Sequence, residues 1–258
     1  MTVTGERVTT RSGAFNPTWQ RHVAAYVACA RFLGPGRVLD VGCGVGHSYN
    51  RLAPRETVGV DLDPAALAGQ ARETVVADMR ALPFANRSFS SVVAVHSIEH
   101  VPDANHVLRE VTRVLKADGT AVFVTPNRLT FGRPDEIIDP YHFVEYDADQ
   151  LDRVCAPYFA EVQLHGLFGS ERYLELFGQE RRQLDRLLRA DPLRLRRVLP
   201  RRVRQCLYDY TLTRTWRSAD PRAAAIEVDD FELRSRALAS CLDVVAVCHR
   251  PRAAPGAA

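Results

Sequence analysis

Strand-like and helix-like patterns alternate along the first 165 residues of the chain. Mostly apolar runs of strand length lie at positions 37–41, 57–63, 74–79, 90–97 and 120–126. Amphipathic stretches separate them, most clearly Asp103 to Gly119, which opens on a helix-capping Asp and closes on a helix-stopping Gly. Because strands that alternate with helices form parallel sheets covered on both faces, the pattern predicts a doubly wound α/β fold.

The rest of the chain extends this pattern and interrupts it once. The further expected elements are a helix at 16–33, a helix at 147–159, a strand at 160–169 and a last strand from Leu242 to Cys248. Residues 170–226, between the last two strands, predict two or three helices inserted beside the sheet. We therefore expect one domain over residues 1–258, which comprises a core at 16–165, a helical insertion at 170–226 and a final strand region at 227–250.

Composition changes this picture mainly through the placement of arginine. The chain has 258 residues, 46% of them hydrophobic, and a net charge of +3, all ordinary for a globular protein. Arginines concentrate between Arg181 and Trp216, so the predicted insertion is strongly basic. The six cysteines include no C-x-x-C pair, which argues against a zinc site and a disulfide framework. Without an apolar leader or a membrane-length run, we expect a soluble, cytoplasmic protein.

The segment from Val38 to Ser48, VLDVGCGVGHS, carries the first candidate chemistry. A strand runs into three glycines with the spacing G-x-G-x-G, at a place where open α/β sheets bind ligands. A nicotinamide dinucleotide fold uses G-x-G-x-x-G instead and rests a pyrophosphate on the helix N-terminus. Asp40, two residues before the first glycine, disfavours a pyrophosphate and favours a sulfonium or ammonium. A nicotinamide-dependent oxidoreductase is therefore the lower-ranked alternative.

Four blocks in order resemble the class I S-adenosylmethionine-dependent methyltransferases, in their small-molecule, type 11-like branch. They are the glycine segment, Asp61 at the end of the second strand, residues 77–89 and residues 96–103. The resemblance implies a Rossmann-like fold with seven strands, the last one antiparallel, and S-adenosylmethionine as cofactor. It also implies cofactor contacts from Asp40, Gly42, Cys43, Gly44, Gly46, Asp61, Leu62, Asp78, Met79 and His96.

The resemblance assigns roles within this set. Asp61 is expected at the ribose, because Asp63 stands directly before Pro64 and is the better helix cap. Asp78 is expected toward the adenine amine, with Met79 beside the ring, although Asp78 could instead only satisfy loop amides. Cys43 is expected to fill space between the glycines, since buried thiols are usually inert.

Methyl transfer to oxygen needs a general base or a metal, whereas a neutral amine needs mainly orientation. His142 is the first candidate base and His96 the second, and a structural hydrogen bond is the alternative role for each. We expect a small-molecule acceptor, with O-methylation favoured over N-methylation. The acids Asp135, Glu136 and Asp139 fit no metal template, so no metal site is predicted.

The sequence of the arginine-rich insertion does not identify the acceptor. We favour a solvated amphipathic cover over the acceptor cleft, since charge runs are usually solvated faces. An anionic acceptor or an acidic membrane surface is a sharper alternative, and nucleic acid ranks low because aromatics lie only at one end of the segment. The chief rival function is a non-catalytic cofactor-binding protein that uses these helices to contact a partner or a membrane.

Overall fold

A computed structural model of the protein describes residues 17–131, 136–189, 198–216 and 221–252. The α-helices in these ranges are α1 (Pro17–Ala30), α2 (Pro64–Leu67), α3 (Ala104–Val114), α4 (Arg128–Phe131), α5 (Ala148–Cys155), α6 (Glu171–Arg189) and α7 (Arg201–Trp216). The strands are β1 (Val38–Val41), β2 (Thr57–Asp61), β3 (Glu73–Val76), β4 (Phe89–Val95), β5 (Leu115–Pro126), β6 (Phe159–Gly169), β7 (Phe231–Arg234) and β8 (Asp243–Pro251).

The described strands form one sheet in the order β3-β2-β1-β4-β5-β8-β6-β7. Neighbouring strands from β3 to β5 are parallel, and β8 runs antiparallel to both β5 and β6. The predicted α/β class and the antiparallel last strand are thus confirmed. The order reverses beside β1, which has β2 on one side and β4 on the other, so a ligand crevice lies at their carboxyl ends.

The described sheet has eight strands rather than the seven that the resemblance implied. The additional strand, β7, pairs antiparallel with β6 through four residues at the sheet edge. It alternates between half-buried and exposed positions and therefore lacks the apolar run that marks the central strands. Its sequence signal is correspondingly weak.

Two further elements differ from expectation. The segment HSYNRLA after the glycines, residues 47–53, predicts a helix from its sequence, but the structure has a single 3-10 turn there, Tyr49–Leu52. The helix expected to reach Gly119 ends at Val114, and β5 begins at once because Leu115 already pairs with Phe89 of β4. Pairing with a neighbouring strand, which the local pattern does not contain, decides where this helix ends.

Two apolar clusters cover the two faces of the sheet. One includes Phe89, Leu108 and Phe123, and the other includes Tyr26, Val93 and Val245. Helix α6 adds a smaller cluster, in which Tyr173 packs near Leu242. The side chains of residues 183–197, which hold much of the arginine-rich stretch, lie outside the described residues. Among the described helices, none combines the length and apolar character that a bilayer crossing requires.

Candidate active site

The loop after β1 is held in a conformation that favours glycine. Gly42, Gly44 and Gly46 have φ values of 69°, 53° and 64°, in the left-handed region that residues with a Cβ rarely adopt. A Cβ on Gly42 would lie 2.5 Å from Ser97 Cβ and 3.3 Å from Met79 Cε, whereas one on Gly44 would meet nothing within 4 Å. The loop is therefore packed tightly beneath Gly42 and open beside Gly44.

Asp61, the last residue of β2, fixes the open part of this loop. Its carboxylate accepts hydrogen bonds of 2.9 Å from the backbone N–H groups of Gly44 and Asp63. Asp63 in turn accepts a 2.8 Å bond from Ala65 N and caps α2, which confirms its predicted capping role. A carboxylate oxygen has more than one lone pair, so a sugar hydroxyl can share an oxygen that already accepts a backbone hydrogen bond.

Asp40 lies under the loop rather than at its surface. Its carboxylate accepts a 2.9 Å hydrogen bond from Tyr26 and forms a 2.8 Å ion pair with Arg72. Burial raises the pKa of Asp40, and the Arg72 charge opposes this rise. With no exposed surface on Asp40, the predicted direct contact with a cofactor would require Tyr26 or Arg72 to move.

Cys43 is buried between the glycines, as a space-filling residue would be. Burial, followed by the nearby charge of Asp40, raises the pKa of its thiol to about 12. The thiol is therefore neutral at physiological pH and is a poor nucleophile.

The far side of the crevice combines an exposed apolar side chain with an ion pair. Leu62 is 69% exposed directly after Asp61, so an apolar surface is available beside the acid. Asp78 holds Arg80 through side-chain contacts of 2.6 to 3.1 Å and accepts from Arg80 N at 2.9 Å. These hydrogen bonds lower the pKa of Asp78. The alternative that Asp78 bonds to loop amides is therefore partly realised.

His96 follows β4 in a strained backbone conformation and is tied to the last strand. Its φ is 48°, uncommon for a residue with a Cβ and often associated with functional sites. Its Nε2 lies 2.9 Å from Oδ1 of Asp243. Burial alone would raise the pKa of Asp243, but the charge of Arg21 and the bonds from Arg21 and His96 hold it well below its usual range.

Aromatic rings line the crevice next to His96. The ring centroids of Trp19 and His47 are 4.0 Å apart, those of His47 and His22 are 4.6 Å apart, and those of His22 and His96 are 5.0 Å apart. Burial lowers the pKa of His22 well below its usual value and, with the neighbouring His96, lowers that of His47 to about 4. The imidazoles of His22 and His47 are therefore neutral at physiological pH.

His142 lies in a second, separate group of polar side chains beyond β4 and β5. Its Nδ1 is 3.1 Å from Glu145 Oε1, and its ring centroid is 5.2 Å from that of His100. Glu99, almost wholly buried, accepts a 3.0 Å hydrogen bond from Thr125. Burial would lower the pKa of His142, but the bond to Glu145 and the charges of Asp139 and Glu99 raise it overall.

Helix α7 covers this second group. Arg201 donates hydrogen bonds of 2.9 Å to the carbonyls of Pro140 and Tyr141, and its guanidinium lies 3.6 Å from the centroid of Phe143. Tyr208 donates a 3.0 Å bond to Asp139. The inserted helices and the loop after β5 thus meet over His142.

Sequence reasoning missed several residues of the site. Arg72 holds Asp40, Asp243 holds His96, and Arg21 holds Asp243. These three residues come from the segment before β3, from β8 and from α1. The available signal was weak: Asp243 is a charged residue at the start of an otherwise apolar run. His96 and Asp243 are 147 positions apart in the chain, and no local sequence pattern predicts that their side chains meet.

Together the sheet order, the glycine loop and the acid at the end of β2 define a nucleoside-binding α/β protein of the methyltransferase type. Comparison with known proteins agrees. A family described as a methyltransferase domain matches residues 39–123. A probable S-adenosylmethionine-dependent methyltransferase of Mycolicibacterium smegmatis is 30% identical over 262 residues, which cover 96% of this chain and 95% of that protein.

Two further comparisons extend this result. A malonyl-[acyl-carrier protein] O-methyltransferase of Halorhodospira halophila is 31% identical over 215 residues, covering 74% of this chain and 71% of that protein. A crystal structure from Thermotoga maritima, described as a possible histamine N-methyltransferase, has a TM-score of 0.61 at 15% identity and covers 91% of each chain. At that identity the structure shows a shared fold. This chain belongs to the S-adenosylmethionine-dependent methyltransferases and is an enzyme of that class.

The crevice fits S-adenosylmethionine, the cofactor of this family. Open space beside Gly44 admits a ligand against the loop backbone. The carboxylate of Asp61 has hydrogen-bond acceptors of the kind that ribose hydroxyls use, and exposed Leu62 has an apolar surface of the kind that a base packs against. Membership of this family removes the case for a nicotinamide-dependent oxidoreductase.

Proposed function

We propose that this methyltransferase transfers a methyl group to a hydroxyl oxygen of a small-molecule acceptor. The observation that carries the proposal is the pair of His96 and buried Asp243 at the end of β4. A hydroxyl must lose its proton during transfer, and a histidine oriented by a carboxylate is a common general base. The Halorhodospira relative is an O-methyltransferase by name, which supports transfer to oxygen.

We assign the base role to His96 and place His142 second. The contact of His96 Nε2 with Asp243 leaves the other ring nitrogen, Nδ1, as the one to take a proton from an acceptor. Among the described residues, Nδ1 of His96 has no hydrogen-bond partner. The His142 side chain is only 6% exposed and is engaged by Glu145. An acceptor therefore reaches His96 more easily.

The proposed cofactor contacts follow from the crevice. Asp61 would bind the ribose hydroxyls, while Leu62 and Met79 would lie against the adenine, with Asp78 near its amine. The backbone of Gly42, Cys43, Gly44 and Gly46 would line the methionine side. When bound, S-adenosylmethionine supplies a methyl group activated by its positively charged sulfur. The enzyme's own part is to orient the acceptor, exclude water and accept the proton.

The inserted helices are proposed as the cover of the acceptor cleft, and α7 offers a contact for an anionic acceptor. Arg201, Arg204 and Tyr208 recur at helical spacing, so they share a face of α7, the face that contacts the loop around Asp139. Within the described part of the chain, Nε of Arg204 is buried without a hydrogen-bond partner. A carboxylate or phosphate on the acceptor would satisfy it.

Methyl transfer from labelled S-adenosylmethionine tests this function. The purified protein would be incubated with small-molecule fractions of a cell extract, and labelled products identified by mass spectrometry and NMR. A product methylated on oxygen is expected. A product methylated only on nitrogen or carbon would refute the O-methylation proposal, and labelling only of RNA or protein would refute the small-molecule acceptor.

A further inference from the structure

Three side chains that could ligate a metal ion converge at the carboxyl ends of β4 and β5. One carboxylate oxygen of Glu99 and one ring nitrogen each of His100 and His142 all lie within 4.8 Å of one another. Ligand atoms around an ion at about 2.1 Å are about 3 to 4 Å apart. Small side-chain rotations would therefore bring these three atoms to coordination distance.

The hydrogen bonds of the two histidines leave the same nitrogen available on each ring. His100 Nδ1 lies 3.2 Å from the carbonyl oxygen of Tyr141, to which it can only donate. His142 Nδ1 lies 3.1 Å from Glu145 Oε1 and donates to that carboxylate. Nε2 of each neutral ring is then unprotonated. Metal-binding histidines characteristically donate their second nitrogen to a carbonyl or carboxylate in this way.

Glu99 supplies an independent observation that points to a ligand. Its side chain is almost wholly buried, one oxygen accepts from Thr125, and the other, Oε1, is buried without a hydrogen-bond partner among the described residues. An unsatisfied buried carboxylate oxygen is costly. A cation bound by Glu99 would remove that cost.

The charges around this group also favour a cation. Glu99, Asp139 and Glu145 are all buried here. The charges that act on His142 are those of Asp139, Glu99 and Glu145. Arg201 of the covering helix α7 donates two hydrogen bonds to backbone carbonyls, and Asp139 accepts one from the neutral hydroxyl of Tyr208. The described surroundings thus hold more negative than positive charge, apart from any proton on the histidines.

We infer that Glu99, His100 and His142 bind one divalent transition-metal ion. Two imidazoles with one carboxylate suit Zn²⁺, Fe²⁺ or Mn²⁺ better than Mg²⁺ or Ca²⁺, which prefer oxygen ligands alone. Three protein ligands leave coordination positions open to an acceptor. The role of the ion rests on the proposed function. An ion here would bind the acceptor hydroxyl and make its proton easier to remove. The proton would then pass to a general base, the oxygen–methyl bond would form as the sulfur–methyl bond breaks, and the sulfonium would leave as a neutral thioether.

Metal binding can be tested without any acceptor. The purified chain would be stripped with a chelator, titrated separately with Zn²⁺, Mn²⁺, Co²⁺ and Mg²⁺, desalted and analysed for metal by mass spectrometry. We expect one equivalent of Zn²⁺ or Co²⁺ per chain and no retained Mg²⁺. His100→Ala and His142→Ala should each weaken binding at least 10-fold, whereas His106→Ala, a change at an exposed histidine on α3, should not.

A second measurement avoids substitutions that disturb folding. In wild-type protein labelled with ¹⁵N in histidine, Zn²⁺ should shift the Nε2 resonances of two residues and leave the others in place. The inference would be overturned by less than 0.2 equivalents of bound metal in wild type. It would also be overturned if His106→Ala weakened metal binding as much as His100→Ala or His142→Ala does. Metal binding without O-methylation would keep the metal site and remove the proposed function. O-methylation by the metal-free protein would keep the proposed function and remove the ion's part in the reaction.

Discussion

At the scale of single residues, Asp61 is the side chain whose contacts most directly predict an effect on cofactor binding. Asp61→Ala removes the acceptors for the ribose and the bond that holds Gly44. A hydrogen bond to a charged group contributes about 1.5–3 kcal/mol, so cofactor affinity should fall roughly 10- to 100-fold. Isothermal calorimetry measures this, with Asp63→Ala, which removes the α2 cap, as the control that keeps affinity.

His96 is the residue on which the proposed chemistry depends. His96→Ala should lower the methyl-transfer rate by about 10²- to 10⁴-fold, the usual contribution of a general base, while S-adenosylmethionine still binds. Single-turnover rates and calorimetry separate the two effects. His106→Ala serves as the matched control. Unchanged turnover in His96→Ala would exclude it as the base.

Gly42 in the loop and Gly69 after α2 both have left-handed backbones but differ in what surrounds them, and this difference is measurable. Gly42→Ala combines a left-handed backbone with a methyl group 2.5 Å from Ser97 Cβ. Gly69→Ala has the same kind of backbone, with φ of 79°, but nothing within 4 Å. Left-handed strain costs roughly 1–2 kcal/mol and overpacking typically adds about 1–3 kcal/mol. Urea denaturation should therefore show Gly42→Ala to be the less stable variant, and equal stabilities would contradict this packing.

At the scale of elements, one buried ion pair joins the first helix to the last strand. Arg21 on α1 donates to both carboxylate oxygens of Asp243 and to the carbonyl of Leu242, and both side chains of the pair are almost wholly buried. Removing one partner leaves a buried charge uncompensated, which costs about 3–5 kcal/mol.

Arg21→Met should therefore destabilise the protein strongly and also release Asp243 from its orientation toward His96. Chemical denaturation checks the loss of stability. Arg234→Met breaks the exposed pair with Glu232 and should change little, because solvent-exposed pairs contribute little. A similar small effect of both substitutions would argue against the pairing of α1 with β8.

At the scale of the whole molecule, the buried histidines make stability depend on pH. His22 and His47 have folded-state pKa values below that of an unfolded histidine, about 6.5, mainly because of burial, and that of His47 is about 4. The unfolded chain therefore binds more protons as pH falls below 6.5. Stability that is fully present above pH 6.5 should be lost progressively between pH about 6.5 and about 4.

Thermal denaturation across this pH range measures the effect. The melting temperature of wild type should fall on acidification, and His47→Gln should reduce the slope, since glutamine does not titrate. A slope identical in wild type and His47→Gln would show that His47 does not supply this pH dependence.

The sequence by itself determined the order of strands and helices, the glycine loop and the acids at the strand ends. These features depend on local pattern: apolar runs make buried strands, and left-handed turns require glycine. Asp63 as a helix cap followed from its position before Pro64, and the fold class followed from alternation alone.

The tertiary structure decided which side chains meet. The sequence predicts that Asp40 faces a ligand, yet in the structure the side chains of Tyr26 and Arg72 bind its carboxylate. The sequence predicts His142 as a candidate base, yet in the structure its ring lies beside Glu99 and His100. The edge strand β7 exists only because β6 offers it a partner. Such contacts join positions far apart in the chain, and their energy comes from burial and charge pairing that arise only once the sheet has formed.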